Sequence, residues 1–483
     1  MDDSAVAAPR LPPPLVVAPP APPSRPGRKI VAFLAAGVLA TGIGVVVARQ
    51  GGHDYPDEWD PRVLDIVAFV ERERGLDFDH PVYIDFLTPE QYTTEATLPA
   101  SELSADDEQL LAQNEGMLRA LGLAEGDLDL LDASNDISDQ GTLAYYSPEE
   151  QRVIVRGTEM TVDVRVTMAH ELTHALQHQH FGFGPEDDAP SGAHFAYRAI
   201  LEGDAIRIED VYVAGALSGE ERQEYEEVSD IQSDAADLEE VPSALVAFFG
   251  APYALGGGFV ELLDADGGNR RIDEAFEDPP ESEEQVFDPF AFLDGDGPDL
   301  LDTPDLPAGA ELIEEGDFGA VGWFVMLSEW IEPLQALDAT DGWRGDAFAT
   351  YTQDDRTCVR LAWSGDEPSD LDEMEAALLG WAGALSAVAP SVDRDGTVLR
   401  VRACDPGAEV ALGLTGRSGD ALAYPASRSY IAAGAVRDGG LTLHAARCLA
   451  DRMIHTFTLD ELNASELPAD YETRLREALS DCG

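Results

Sequence analysis

The sequence predicts an α+β chain. Apolar residues recur at helical spacing in several long stretches, short β-branched runs flank turn signals, and the last third alternates both patterns around four cysteines. With 483 residues and 44% hydrophobic content the chain can build more than one sizeable core.

Residues 1–29 are rich in proline (LPPPLVVAPPAPPSRP) and read as a disordered cytoplasmic tail. Ile30 to Ala48 form an uninterrupted apolar run, long enough at ~1.5 Å per residue to cross a ~30 Å hydrocarbon core. Arg25, Arg28 and Lys29 precede it and only Arg49 follows, so the positive-inside rule puts the N-terminus in the cytoplasm and the rest outside. A signal peptide cut after Ala48 is the alternative, and the length of the run favours the anchor. Residues 49–60 are a linker to a main domain over 61–350.

In that domain Val63, Ile66, Val67 and Val70 predict a helix ending near Gly75, and PVYIDFL (Pro81 to Leu87) predicts a strand. Thr88 to Asp132 is mostly helical, with Leu110, Leu111, Met117, Leu118 and Leu121 on one face. TLAYY and RVIVRG pair as a hairpin around Ser147-Pro148-Glu149-Glu150. From Thr161, a candidate N-cap, the period returns to helical, with Val162, Val166, Ala169 and Leu176 on one face. PEDDAPSG breaks the pattern, a second helix runs from Ala193 past Asp210, and acidic loops near Asp278 to Pro307 precede a helix over Phe318 to Trp330.

Residues 351–483 read as a smaller α+β unit carrying Cys358, Cys404, Cys448 and Cys482. An even count in an exported chain favours disulfides, and the absence of a C-x-x-C pair argues against zinc ligation by these cysteines. Four cysteines allow three pairings and the sequence alone does not choose; Cys358 with Cys404 and Cys448 with Cys482 is the expected one, because each pair closes a compact local unit.

Charge narrows the function. Against 94 Asp and Glu stand 30 Lys and Arg, a formal net charge of -64, and Lys29 is the one lysine. No basic stripe is available for a phosphate backbone, which excludes nucleic acid as a partner. So acidic a surface suits a salty exterior.

The chemistry concentrates in His170-Glu171-Leu172-Thr173-His174. Histidines one helical turn apart project side by side and can grip one zinc ion, with the intervening glutamate within reach of its water. A catalytic zinc takes three protein ligands and keeps a fourth position open, so a third ligand is needed. His180 has the spacing of the longer motif whose glycine bends the chain back to the metal, but Gln177 occupies that glycine's place. On an unbroken helix His180 lies about 120° from His174, off the metal face. Glu202, in Leu201-Glu202-Gly203-Asp204-Ala205 on the next helix, is the other candidate.

HELTHALQHQH followed by ILEGDA resembles the gluzincin branch of the metallopeptidases, and is most similar to bacterial exported zincins carrying this pair of motifs. The resemblance spans about Trp59 to Tyr351, with RGTEM before the helix, APYALG at Ala251 to Gly256 and DPPESEEQV at Asp278 to Val286. It implies a zincin-like domain with its active-site helix against a small mixed sheet. It also implies Zn2+ held by His170, His174 and Glu202, with Glu171 as the general base that takes a proton from the metal's water. Asp204 is expected to hold a ligand histidine by its other ring nitrogen, or else to be a surface acid. Tyr253 is the candidate oxyanion stabiliser. His178 and His194 are expected at the polar rim. The chain departs from the resembling sequences at Asp288, where they often carry a histidine.

The implied function is zinc-dependent hydrolysis of peptides or proteins at the outer face of a membrane. The rival reading is a catalytically silent zincin that binds or regulates at the cell surface.

Overall fold

The computed structural model describes residues 55–140, 142–185, 189–235, 238, 241–299, 301–464, 468–480 and 482. The proline-rich segment, the apolar run 30–48 and residues 49–54 of the linker lie outside the described residues.

Helix α1 (Leu64–Arg74) buries Ile66, Val67, Phe69 and Val70 and stops at Gly75, whose φ of 71° closes the last turn in the left-handed region. After β1 (Tyr83–Leu87), α2 (Pro89–Ala96) and α3 (Ala105–Leu121) each start at a capping box, Thr88 with Gln91 and Ser104 with Asp107, and α4 (Leu130–Gln140) follows. β2 (Ala144–Ser147) and β3 (Arg152–Arg156) form the expected hairpin. β3 also pairs in parallel with β1, which gives a small mixed sheet of order β1-β3-β2.

Two long helices carry the centre of the molecule, α5 (Val162–Phe181) and α6 (Ser191–Gly215). Then come α7 (Gly219–Ala235), α8 (Ser243–Gly267), α9 (Asn269–Glu277) and the short α10 (Glu284–Phe287) and α11 (Pro289–Asp294). A second sheet of β4 (Glu311–Gly316), β5 (Trp343–Gln353), β6 (Arg356–Gly365), β7 (Ser391–Asp395) and β8 (Val398–Cys404) is antiparallel throughout, in the order β4-β5-β6-β8-β7. α12 (Gly319–Trp330) and α13 (Pro333–Thr340) lie between β4 and β5 in the chain, and α14 (Pro368–Ala384) between β6 and β7. The chain ends in α15 (Ser418–Ala421), α16 (Ala423–Arg437), α17 (Leu443–Thr456), α18 (Leu459–Asn463) and α19 (Tyr471–Ser480).

The fold is α+β, but the division expected at residue 351 falls inside β5. Strands from both sides of that point share one sheet, α3 packs on β6 and β8, and α16 lies along α8. One hydrophobic core runs from Leu98 to Ala478. The reason is non-local pairing: β5 is buried along most of its length only because β6 and helices distant in sequence cover it. Both expected disulfides are present, Cys358–Cys404 between directly opposed residues of β6 and β8, and Cys448–Cys482 between α17 and the C-terminus.

Among the described residues α8 alone is long and apolar enough to cross a membrane, yet 78% of its apolar window is buried inside the fold. It is packed between α6 and α16, so its apolar surface belongs to the core.

A second core joins α1, the mixed sheet and the apolar face of α5, from Val162 through Leu176. Helix α6 belongs to both cores, with Phe195 to Leu201 in the first and Ile208 and Tyr212 in the second. The α5–α6 contact is therefore the seam of the molecule.

Candidate metal centre

At that seam three side chains meet. His170 and His174 project from the same face of α5 because four residues make nearly one turn, and Glu202 faces them from α6. The Nε2 atoms of the two histidines lie 3.0 Å apart, and Glu202 Oε2 lies 3.3 Å from the first and 3.2 Å from the second. A tetrahedral ion with bonds of ~2.0–2.1 Å holds its ligand atoms ~3.3 Å apart. The triangle thus has the size of one face of such a site, and the two imidazoles and one carboxylate suit zinc chemistry. All three residues are buried.

The orientation of each imidazole is fixed from behind. His170 Nδ1 lies 3.0 Å from Glu209 Oε2, and a carboxylate only accepts, so Nδ1 carries the proton and Nε2 turns its lone pair to the centre. The hydroxyl of Tyr225 on α7 donates to the other Glu209 oxygen at 3.0 Å. His174 Nδ1 lies 2.9 Å from Gln177 Oε1. Arg198, one turn before Glu202, approaches Glu202 Oε1 with its Nε at 3.5 Å, on the oxygen turned away from the histidines.

Burial works against the charged form of Glu202, but His174, His170 and Arg198 together hold its carboxyl well below the usual carboxylate range. Glu171 is buried beside them and accepts from the backbone N–H of Tyr146 on β2 at 2.7 Å. Burial, partly offset by the histidines, pushes its carboxyl up to about 6, the range of a base able both to take and to release a proton.

Glycine lets α6, which carries Glu202, pack tightly on α8. A Cβ at Gly203 would meet the carbonyl oxygen of Gly256 on α8 at 2.1 Å, and one at Gly256 would meet the carbonyl oxygen of Ala199 at 2.0 Å. The Glu-Gly pair of α6 and the Gly256 end of APYALG are two sides of one helix contact.

Each expected site residue has a definite place. Tyr253 on α8 is buried, its hydroxyl accepts from Arg198 at 3.4 Å, and burial and then the Glu202 charge push its phenol well above the ordinary value, so it stays a donor. Asp204 bonds no histidine in the described contacts. It accepts from Gln177 Nε2 at 3.0 Å and pairs with Arg74 and Arg207, so it stands one step further out than expected. His180 turns away, its Nε2 at 2.9 Å from the Asp77 carbonyl oxygen, because Gln177 lets α5 continue to Phe181. His178 bonds Tyr146 Oη through Nδ1 at 2.9 Å, and His194 is outside the cluster. Asp288 caps α11 and pairs with Arg447.

The sequence motifs do not mark Glu209 or Arg198, and they mark Gln177 only as the residue in the glycine's place, though spacing carries the signal for all three. Gln177 is three residues from His174, Arg198 four before Glu202 and Glu209 seven after it, each on the ligand's own helical face. No model of a known protein family, no curated protein and no solved structure matches this chain, so the reading of the centre rests on its own residues.

Proposed function

We propose that the protein is a zinc-dependent peptidase of the zincin type, acting on peptides or proteins outside the cell from a membrane anchor over residues 30–48. The observation that carries the reading is the buried His170, His174 and Glu202 triangle with the Glu171 carboxylate beside it.

Zinc, when bound by these three residues, supplies a Lewis acid that polarises the scissile carbonyl and lowers the pKa of water toward ~7. Glu171 accepts the proton of the attacking water as its oxygen bonds to the carbonyl carbon. The carbon–nitrogen bond then breaks, and Glu171 returns the proton to the leaving amine. The Tyr146 N–H keeps the Glu171 carboxylate aimed during both transfers. Tyr253, beside Arg198, is the neutral donor we assign to the developing oxyanion.

The test is hydrolysis of a mixed peptide library, read by mass spectrometry, for wild type and Glu171→Gln loaded with equal zinc. Cleavage by wild type and its loss in the variant supports the reading. An equal rate in both removes the mechanism, and zinc bound without turnover by either would favour the silent zincin.

A further inference from the structure

Gln177 is where the chain departs from the longer histidine motif, and its environment shows what it does instead. Its amide group makes three contacts, all buried. Nε2 donates to the Leu201 carbonyl oxygen at 3.0 Å and to Asp204 Oδ2 at 3.0 Å, while Oε1 faces His174 Nδ1 at 2.9 Å. The first two partners only accept, so the amide has one possible orientation, with its oxygen toward the imidazole. That oxygen only accepts, so His174 carries its proton on Nδ1 and offers Nε2 to the centre.

Asp204 is anchored in turn. Arg74 Nε lies 2.7 Å from Asp204 Oδ2 and Arg207 3.1 Å from Oδ1, and Arg74 also reaches Asp273 on α9 at 2.7 Å. Arg74 and Asp204 are fully buried. Arg74 belongs to α1 and Arg207 to α6, so the ion cluster ties three helices to one amide.

We infer that Gln177, locked by Asp204 and its two arginines, is the positioning residue for the metal ligand His174. It fixes the tautomer and ring plane of His174 without adding charge to it. The two histidines are then held differently. Glu209 gives His170 an anionic partner that raises its basicity, whereas the charge of Asp204 is spent on Arg74 and Arg207 and reaches His174 only through a neutral amide. Glu202, Glu209 and Glu171 already place three carboxyls around the centre, and a neutral hold on His174 avoids a fourth.

This inference rests on the proposed metal site, and the experiment separates the two. Zinc affinity of the full chain is measured by competition with a chromophoric chelator for wild type, Gln177→Met, Gln177→Asn, His174→Ala and His180→Ala, with a melt of each metal-free protein. Met keeps the volume without the hydrogen bonds, and Asn keeps the amide but is one methylene short. Both are expected to bind zinc 10–100-fold more weakly than wild type, the range typical of lost ligand-orienting partners, and to alter the visible spectrum of the cobalt-substituted protein. His180→Ala should match wild type. A purely structural Gln177 would lower the melting temperature but leave the affinity of the folded molecules and the cobalt spectrum unchanged. The inference is overturned if either folded Gln177 variant binds zinc within about twofold of wild type. Failure of wild type to bind zinc, or undiminished binding by His174→Ala, would overturn the metal reading itself.

Discussion

Replacing Gly203 with alanine tests whether the α6–α8 contact sets the position of Glu202. The added Cβ would stand 2.1 Å from the Gly256 carbonyl oxygen, where ordinary contact begins near 3.4 Å, so the helices must separate by about 1 Å. Because the obstacle is backbone, no side-chain rotation relieves it. Overpacking of this kind costs about 1–3 kcal/mol, and alanine's better helix propensity returns up to about 1 kcal/mol. A net loss of about 1–2 kcal/mol follows, a fall of a few degrees in melting temperature. The second effect is more specific. Glu202 Oε2 now lies 3.3 and 3.2 Å from the histidine nitrogens, and a shift of about 1 Å is far outside the tolerance of a ~2.1 Å zinc bond. Zinc affinity should fall at least tenfold. Calorimetric melting with and without zinc, together with chelator competition, reads both effects. A variant with wild-type melting temperature and zinc affinity would refute the reasoning that this close contact places the ligand.

Other consequences are measurable. Tyr253→Phe should retain zinc and lose about 10²-fold in kcat if the phenol supports the oxyanion; a weakened zinc affinity with unchanged kcat would assign Tyr253 to the support of Glu202 instead. Glu284 is half-buried, and burial followed by the charges of Asp366, Asp288, Asp296 and Asp341 pushes its carboxyl up to about 9. Between its unfolded value near 4.5 and that raised value the folded state holds the extra proton, so the Glu284 contribution to stability falls as pH rises through this window. Glu284→Gln should therefore gain on the order of 2 kcal/mol at pH 8 and little at pH 4.5, and equal gains at both pH values would contradict this. Loss of Cys358–Cys404 or Cys448–Cys482, which close loops of 46 and 34 residues, should cost up to about 4 kcal/mol each, read by denaturant unfolding of the serine variants.

The histidine pair was legible because its four-residue spacing falls inside an apolar helical pattern, which fixes the side on which both rings project. The hairpin, α1, α5, α6 and α12 were legible for the same reason of local period. Glu202 stood in the sequence only as a candidate, since its approach to the two histidines comes from the packing of α6 against α5, which no local pattern records. Arg74 illustrates the limit most sharply: it lies 130 residues from Asp204, and only tertiary packing brings them together. The division drawn at 351 meets the same limit, because it falls inside β5, whose pairing with β4 and β6 is set by contacts across the chain.

Anomalous diffraction at the zinc edge on zinc-loaded crystals would locate the proposed zinc centre of two histidines and one glutamate with Glu171 beside it. A single ion is expected, bonded to His170 Nε2, His174 Nε2 and Glu202 Oε2, with His180 still on the Asp77 carbonyl. An ion ligated by His180 in place of Glu202, or no ion on the HELTH helix, would contradict it.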